Sequence, residues 1–372
     1  MKTMAYLDHN ATAPVKPAVA EAIRASLGAC GNPSSVHGAG RAARRMVEDG
    51  REAVAALAGA KSERVVFTAG GTEANNLALR GMGRARVLAG ATEHPSVLKA
   101  LDGIETIPVR RDGRLDLEAL DALLKKEGAP ALVSVMLANN ETGVIHPVVE
   151  AASIAKRHGA LLHCDAAQAP GRIAFDMGSL GVDLLTLSAH KLGGPMGAGA
   201  LVLGPGVEIE SFLRGGGQER RRRAGTENVP AIAGFGVAAT LAKDDADDAP
   251  RLARLRDFLE ARLRAEGAVV FGADAPRLPN TSCIALPGVA SDTQVMGFDL
   301  AGFAVSAGSA CSSGKVEPSH VLAAMGVPEA DARAAIRVSL GWSTTDTEVE
   351  SFIGAWLALR RRVGARASAA AA

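Results

Sequence analysis

From about residue 60 onward, short runs of aliphatic and β-branched residues alternate with amphipathic stretches of helical length. The apolar runs fall at 64–68, 86–91, 104–109, 131–137, 160–165, 183–188 and 199–203. Helical patterns lie between most of them, at 73–81, 95–101, 116–127 and 147–158. Strand–helix–strand repetition has one compact solution: the strands lie side by side, mostly parallel, and the helices cover the faces. The chain is therefore predicted to be α/β, with a large domain built on a mostly parallel seven-stranded sheet. In such open sheets a ligand sits beyond the carboxyl ends of the strands, where the loops converge.

The acidic, proline-terminated stretch Lys243–Pro250 reads as a solvated linker or loop, and Leu252, Leu255, Leu259 and Leu263 then recur at helical spacing. We expect a large domain at 16–245 and a smaller C-terminal α+β domain at 246–364, joined by the N-terminal segment 1–15. The alanine-rich tail 365–372 has little but methyl groups to bury and is expected to be disordered. The 41 basic and 40 acidic side chains leave a net charge of +1, which gives no global attraction to nucleic acid or to a membrane surface. No apolar stretch is long enough to span a bilayer, and the N-terminus has one lysine followed by an acid rather than a secretory signal. A cytoplasmic protein is expected. Cys30, Cys164, Cys283 and Cys311 are too scattered for a zinc site or a disulfide framework, so no intrinsic metal is expected. Cys164 and Cys283 sit in strand-like runs and read as small buried hydrophobes, and Cys30 as a loop residue.

The unusual polar residues fall at strand ends. Ser188-Ala189-His190-Lys191 closes one apolar run, and Asp165 closes another. A desolvated lysine forms a Schiff base with an aldehyde cofactor, and a buried aspartate keeps a pyridine nitrogen protonated. Together they point to pyridoxal 5′-phosphate (PLP). The run 64–68 leads into Gly70-Gly71-Thr72 before a helix, a ready phosphate cradle, although the glycines also suit a plain turn and Thr72 a helix cap. Thr92-Glu93-His94 and Asn139-Asn140-Glu141-Thr142-Gly143 end two more runs. Taken singly, His94, Asp165 and the asparagines each read as well as caps or turn residues. Five such clusters at one sheet edge favour one shared site.

Three further segments carry chemistry. Gly215–Asn228 combines a glycine hinge with four consecutive arginines, and reads either as a solvated basic loop or as an anion-binding one. Gly31–Gly38 is turn-forming. Arg337 interrupts a β-rich run, as a surface residue or as a buried one suited to holding a carboxylate. Cys311 is flanked by glycine, alanine and serine, so nothing bulky would hold it in a core; it reads as a thiol in an exposed, mobile loop.

These motifs, in this order from Tyr6-Leu7-Asp8-His9-Asn10-Ala11-Thr12 to Arg337-Val338-Ser339-Leu340-Gly341, resemble the cysteine desulfurases. That family supplies sulfur for iron–sulfur cluster assembly and, in some organisms, nitrogenase maturation. The resemblance covers nearly the whole chain. It implies a PLP-dependent sulfurtransferase of the aspartate-aminotransferase-like fold (fold type I, class V), acting as a homodimer. By the same resemblance, Lys191 would form the Schiff base and move protons, Asp165 would pair with the pyridine nitrogen, and Gln168 would bond the ring's phenolic oxygen. His94 would stack on the ring and assist acid–base steps as a catalytic residue. Gly71, Thr72, Ser188, Ala189 and His190 would line the phosphate site, with Thr226 reaching in from the partner subunit. Asn140 and Arg337 would orient the substrate, Arg337 by its carboxylate. The implied reaction converts L-cysteine to L-alanine and leaves a persulfide on Cys311 for a scaffold or other sulfur-acceptor protein. Cys311 is also a candidate transient cluster ligand.

Two small departures occur: Ala189 stands where glycine is usual, and Gly71 where alanine is usual. Related readings are a selenocysteine lyase or another class V aminotransferase; a plain aminotransferase has no use for a loop cysteine. A non-catalytic assembly scaffold is the remote alternative, and an intact Lys191, Asp165, His94 and Cys311 set argues against it.

Overall fold

All seven apolar runs are strands of one sheet. The structure is a computed structural model describing residues 4–126, 128, 130–308 and 318–371, as backbone only from 364 onward. After β1 (Ala5–Tyr6), α1 (Pro17–Leu27) and α2 (Gly38–Ala58), the sheet begins with β2 (Val65–Thr68), α3 (Gly71–Gly81), β3 (Arg86–Gly90), α4 (Pro95–Leu98) and β4 (Glu105–Ile107). It continues through α5 (Leu117–Lys125), β5 (Ala131–Met136), α6 (Val148–Arg157), β6 (Leu161–Asp165), α7 (Met177–Leu180), β7 (Leu184–Ser188) and β8 (Gly199–Leu203). The strand order is β2-β8-β7-β6-β5-β3-β4, and only β8 runs against its neighbours.

Successive strand residues enter opposite cores, which is why these runs are continuously apolar rather than alternating. Val65, Phe67, Val133, Val135, Leu185, Leu187 and Val202 pack with α2, α6 and the long helix α8 (Val229–Asp247). Val66, Leu132, Leu184, Leu201 and Leu203 pack with α3 on the other face. Helices α2 and α8 cross closely because glycine meets glycine there: a Cβ on Gly236 would lie 2.7 Å from the Cα of Gly50.

The second body contains α9 (Ala249–Arg264), β9 (Val269–Phe271), β10 (Thr281–Ala285), α10 (Ser291–Ala301), β11 (Phe303–Ala304) and β12 (Ser306–Ala307). It ends with α11 (His320–Ala324), α12 (Glu329–Ala332), β13 (Ala335–Ser339) and α13 (Asp346–Ala371). An antiparallel sheet, β12-β13-β10-β9, packs on a core in which Leu252, Leu255, Leu259 and Leu263 meet Phe298, Phe352 and Trp356. Ala5 and Leu7 belong to this second core, and β1 pairs with β11. A few residues later Ala13 and Lys16 donate backbone bonds to His190 and Gly193 in the first body. The N-terminal segment is thus a strap between the two.

Two expectations need correction. Lys243–Pro250 is no loop: α8 runs through Asp247 and α9 starts at Ala249, with Pro250 in the first turn where its missing N–H costs nothing. Asp245 there is half-buried and ion-paired with Lys16. The tail to Ala371 continues α13 as helical backbone, in keeping with alanine's high helix propensity.

Candidate active site

Strands β2, β3, β5, β6 and β7 all point their carboxyl ends to one edge, so the five polar clusters meet there. Gly70 is the N-cap of α3, so Thr72 is the second residue of the helix's first turn instead of its cap. The backbone at Gly70 has φ +156°, and a Cβ on Gly199 would lie 2.5 Å from the Gly70 carbonyl carbon. Two glycines therefore let this loop lie flat on β8, with the free N–H groups of the α3 N-terminus directed outward. Gly71 adjoins Ser188, whose Cβ is 3.4 Å from where a Gly71 Cβ would stand. A small residue is needed at 71, and glycine suffices.

Lys191 follows β7 on one turn of 3-10 helix. Its Nζ donates to the carbonyls of Asn10 (2.7 Å) and Ala11 (2.8 Å) on the N-terminal strap. Gln168 Nε2 donates to the same Asn10 carbonyl at 3.1 Å, and its Oε1 accepts from Arg172. Arg172 is buried and also donates to the carbonyls of His9 and Lys191. Burial, reinforced by the Arg337 charge, lowers its pKa to about 9. His190 bonds Thr12 through Nδ1, and burial with the Lys191 charge lowers its pKa to about 4, so the imidazole is neutral at pH 7. The Ala189 methyl is fully buried in the first core, which explains how alanine is accommodated there.

The Asp165 carboxylate is fixed by two donors: Asn75 Nδ2 at 2.7 Å and the Ala167 N–H at 2.9 Å. Asn75 also donates to Ser96 Oγ, which lies 2.8 Å from His94 Nδ1. His94 is indeed a cap, its Nδ1 accepting the Ser96 N–H, and this places the neutral ring's proton on Nε2. Burial lowers the His94 pKa; Lys191 and His320 add to that and Asp165 opposes it. Beneath, His163 bridges Ser134 and Thr186 across three strands, buried and held neutral.

Arg337 is buried in β13. Its Nη2 donates to Asp8 (2.8 Å) and its Nη1 to the Asn140 carbonyl (3.0 Å), while Nε has no partner among the described residues. Asn10 Nδ2 reaches the same Asn140 carbonyl at 3.1 Å. Asn139 holds the turn by accepting the N–H groups of Glu141 and Thr142.

Two arginines of the basic loop are held by carboxylates of the chain itself. Arg223 pairs with Glu73 and Arg222 with Glu208, both at 2.8 Å. Thr226 is exposed and lines a cavity of about 170 Å³ with Thr68, Ala69, Arg223 and Glu227. Cys164 and Cys283 are buried and Cys30 is exposed, as expected; Cys311 lies outside the described residues. Asp8, Asn10, Asn75, His163 and Arg172 had no role assigned from sequence. The motif around Asn10 offered a signal, but its partners lie more than 100 residues away, and a lone Asn75 within a helix offered none.

These residues fit a phosphorylated pyridine aldehyde. A glycine-lined helix N-terminus can cradle the phosphate, a fixed buried carboxylate can accept from a ring N–H, and a strand-end amine can bond the aldehyde carbon. The unpartnered Arg337 Nε can donate to a substrate carboxylate.

Residues 5–352 match the aminotransferase class-V family. A cysteine desulfurase of Cereibacter sphaeroides is 45% identical over 368 residues, covering 94% of this chain and 93% of the relative. The solved NifS-like protein of Rickettsia africae superposes with a TM-score of 0.89 at 37% identity, covering 95% of this chain and 98% of the other. A protein solved as SspA in complex with cysteine superposes with a TM-score of 0.78 at 27% identity, covering 91% and 99%. The chain belongs to the class-V aminotransferase family and, within it, to the cysteine desulfurases.

Proposed function

We propose that this cysteine desulfurase is PLP-dependent, takes L-cysteine, and carries the released sulfur as a persulfide on Cys311. What supports the reading most is the presence of Lys191 and the doubly fixed Asp165 carboxylate at one sheet edge, with the buried Arg337 of β13 donating to the Asn140 carbonyl there. The proposed division is a cofactor-binding body at 16–245 and a smaller body at 246–364.

Gly71, Thr72, Ser188, Ala189 and His190 would hold the PLP phosphate, and His94 would hold its ring. When bound, it supplies an electron sink for the substrate's α-carbanion. Asp165 would hold the ring N–H, which keeps that sink deep. Lys191 would hold the aldehyde end through its Nζ, which would also take and return the substrate's α-proton. Gln168 retains a second N–H for the ring oxygen. Arg337, steadied by Asp8, takes the substrate carboxylate, and Asn140 flanks it. The Cys311 thiolate would attack the substrate sulfur: the S–S bond forms, the C–S bond breaks, and its electron pair stays on the β-carbon, which takes up a proton to give alanine. The atoms balance as cysteine plus thiol giving alanine plus persulfide.

The acceptor is a scaffold or other sulfur-binding protein. The homodimer, with Thr226 completing the partner's phosphate site, is part of the same proposal; Leu27, Val36, Met196 and Phe212 are apolar and exposed, as an interface requires. Incubation with labelled L-cysteine and mass spectrometry tests the central step. One added sulfur on Cys311, absent in Cys311→Ser, is the expected result. Desulfuration of L-cysteine that survives Cys311→Ser would overturn it.

A further inference from the structure

Arg172 is a buried cation, 7% exposed, that none of these steps uses. It stands in the turn after Asp165, its N–H bonded to the Ala169 carbonyl. Its fork reaches three segments at once. Nη1 donates to the Gln168 carbonyl at 3.1 Å and to Gln168 Oε1, while Nη2 donates to the carbonyls of His9 (3.3 Å) and Lys191 (3.4 Å). All four acceptors are neutral oxygens, whereas a buried guanidinium ordinarily faces a carboxylate. Asp245, whose field favours the charge, is itself paired with Lys16, and Arg337 opposes it. A guanidinium can only donate, so the Gln168 amide must turn its oxygen toward Arg172. The other end agrees, since the Asn10 carbonyl can only accept and takes an N–H from Nε2. A flipped amide would set donor against donor at one end and oxygen against oxygen at the other. The direction of the second N–H is thereby fixed. The same Asn10 carbonyl accepts from Lys191 Nζ at 2.7 Å, so the amine and the amide are registered on one atom.

We propose that Arg172 is a positioning residue, locking the Gln168 amide so that its remaining N–H is kept for the anionic ring oxygen of the cofactor. This rests on the PLP reading and on the part given there to Gln168, and the test separates these ideas.

The PLP-loaded protein is titrated with pH, without substrate, and its visible absorption band is followed. A donor on the ring oxygen weakens that oxygen's hold on the proton it shares with Lys191 Nζ, so it keeps the midpoint of the band's change low. Without Arg172 the amide is free to turn. A hydrogen bond to a charged oxygen is worth on the order of tenfold in such a protonation equilibrium, so Arg172→Met should raise the midpoint by about 1 pH unit. Gln168→Leu should raise it by about as much, and adding Arg172→Met to Gln168→Leu should move it by less than about 0.3 unit further. Arg172→Lys keeps the charge but not the fork, and should show about half the rise. An unmoved midpoint in Arg172→Met overturns the proposal. So does full additivity with Gln168→Leu, which would make Arg172 a charge acting on its own rather than through the amide. If Arg172→Met does not fold, an unmoved midpoint in Arg172→Lys overturns it instead. An unmoved midpoint in Gln168→Leu would remove Gln168 from the ring oxygen and the proposal with it, while the band itself stays. A parent protein that shows no visible band after incubation with PLP would sink the cofactor reading itself.

Discussion

Three consecutive non-glycine residues, Glu219, Arg220 and Arg221, have φ of 47°, 56° and 65°. Each left-handed residue costs about 1–2 kcal/mol, so such a turn persists only where something over-determines it. The pin is Glu219. Its side chain is 1% exposed, and its oxygens accept from Arg51 Nη1 (2.7 Å), Arg51 Nη2 (2.8 Å) and the Phe67 N–H (2.9 Å). Arg51 lies over the Phe67 ring, 4.8 Å from its centroid, and is itself buried. Glu219→Ala would leave a buried guanidinium without its main counter-ion and the Phe67 N–H unpaired. Orphaning one partner of a buried pair costs about 3–5 kcal/mol. Because Glu48 still reaches Arg51 Nε at 3.1 Å, the lower end, about 3 kcal/mol, is expected here. If the large body melts as a unit of about 150–250 residues, that is a fall in Tm of about 6–12 °C. Thermal melts followed by circular dichroism measure it. Arg51→Met on top of Glu219→Ala should restore part of the loss, because the orphaned charge is gone. A fall under about 2 °C, or strict additivity in the double variant, would refute the argument.

Asn75→Leu removes the donor shared by Asp165 and Ser96; a hydrogen bond to a charged group is worth about 1.5–3 kcal/mol, so PLP affinity should weaken about 10- to 100-fold. Fluorescence titration of the apoenzyme would show it, and unchanged affinity would remove Asn75 from the site. Arg337→Lys keeps the charge but loses the fork that spans Asp8 and Asn140, and should lower kcat/KM for L-cysteine about tenfold or more, read from steady-state kinetics. Glu141 has a folded pKa raised from 4.5 to about 7, so its neutral form is the one the fold favours. That contribution is full below about pH 4.5 and is lost as pH rises through 7, on the order of 3 kcal/mol in all. Glu141→Gln, which cannot ionise, should gain stability relative to the parent across that window in denaturant melts at pH 5 to 8. A difference independent of pH would count against it.

The sheet was legible because burial on both faces writes itself as unbroken apolar runs. Val65 to Phe67 or Leu184 to Leu187 can hardly be read otherwise, and parallel strands then send Gly70, His94, Asn140, Asp165 and Lys191 to one edge without further information. The segment Lys243–Pro250 was misread for the opposite reason. Its charges follow a solvated pattern, yet a helix can carry them on one face while Asp245 turns inward to Lys16, a partner 229 positions away. The same distance in sequence hid the groups that set the environment of Lys191. Asn10 and Ala11 offer it only backbone carbonyls, which have no residue signature. Those carbonyls are in place because Ala5 and Leu7 are buried in the second core while Ala13 and Lys16 bond the first body. Local rules can find a lysine at a strand end, but the polarity around its amine is decided where the two cores meet, and that depends on contacts no window of sequence contains.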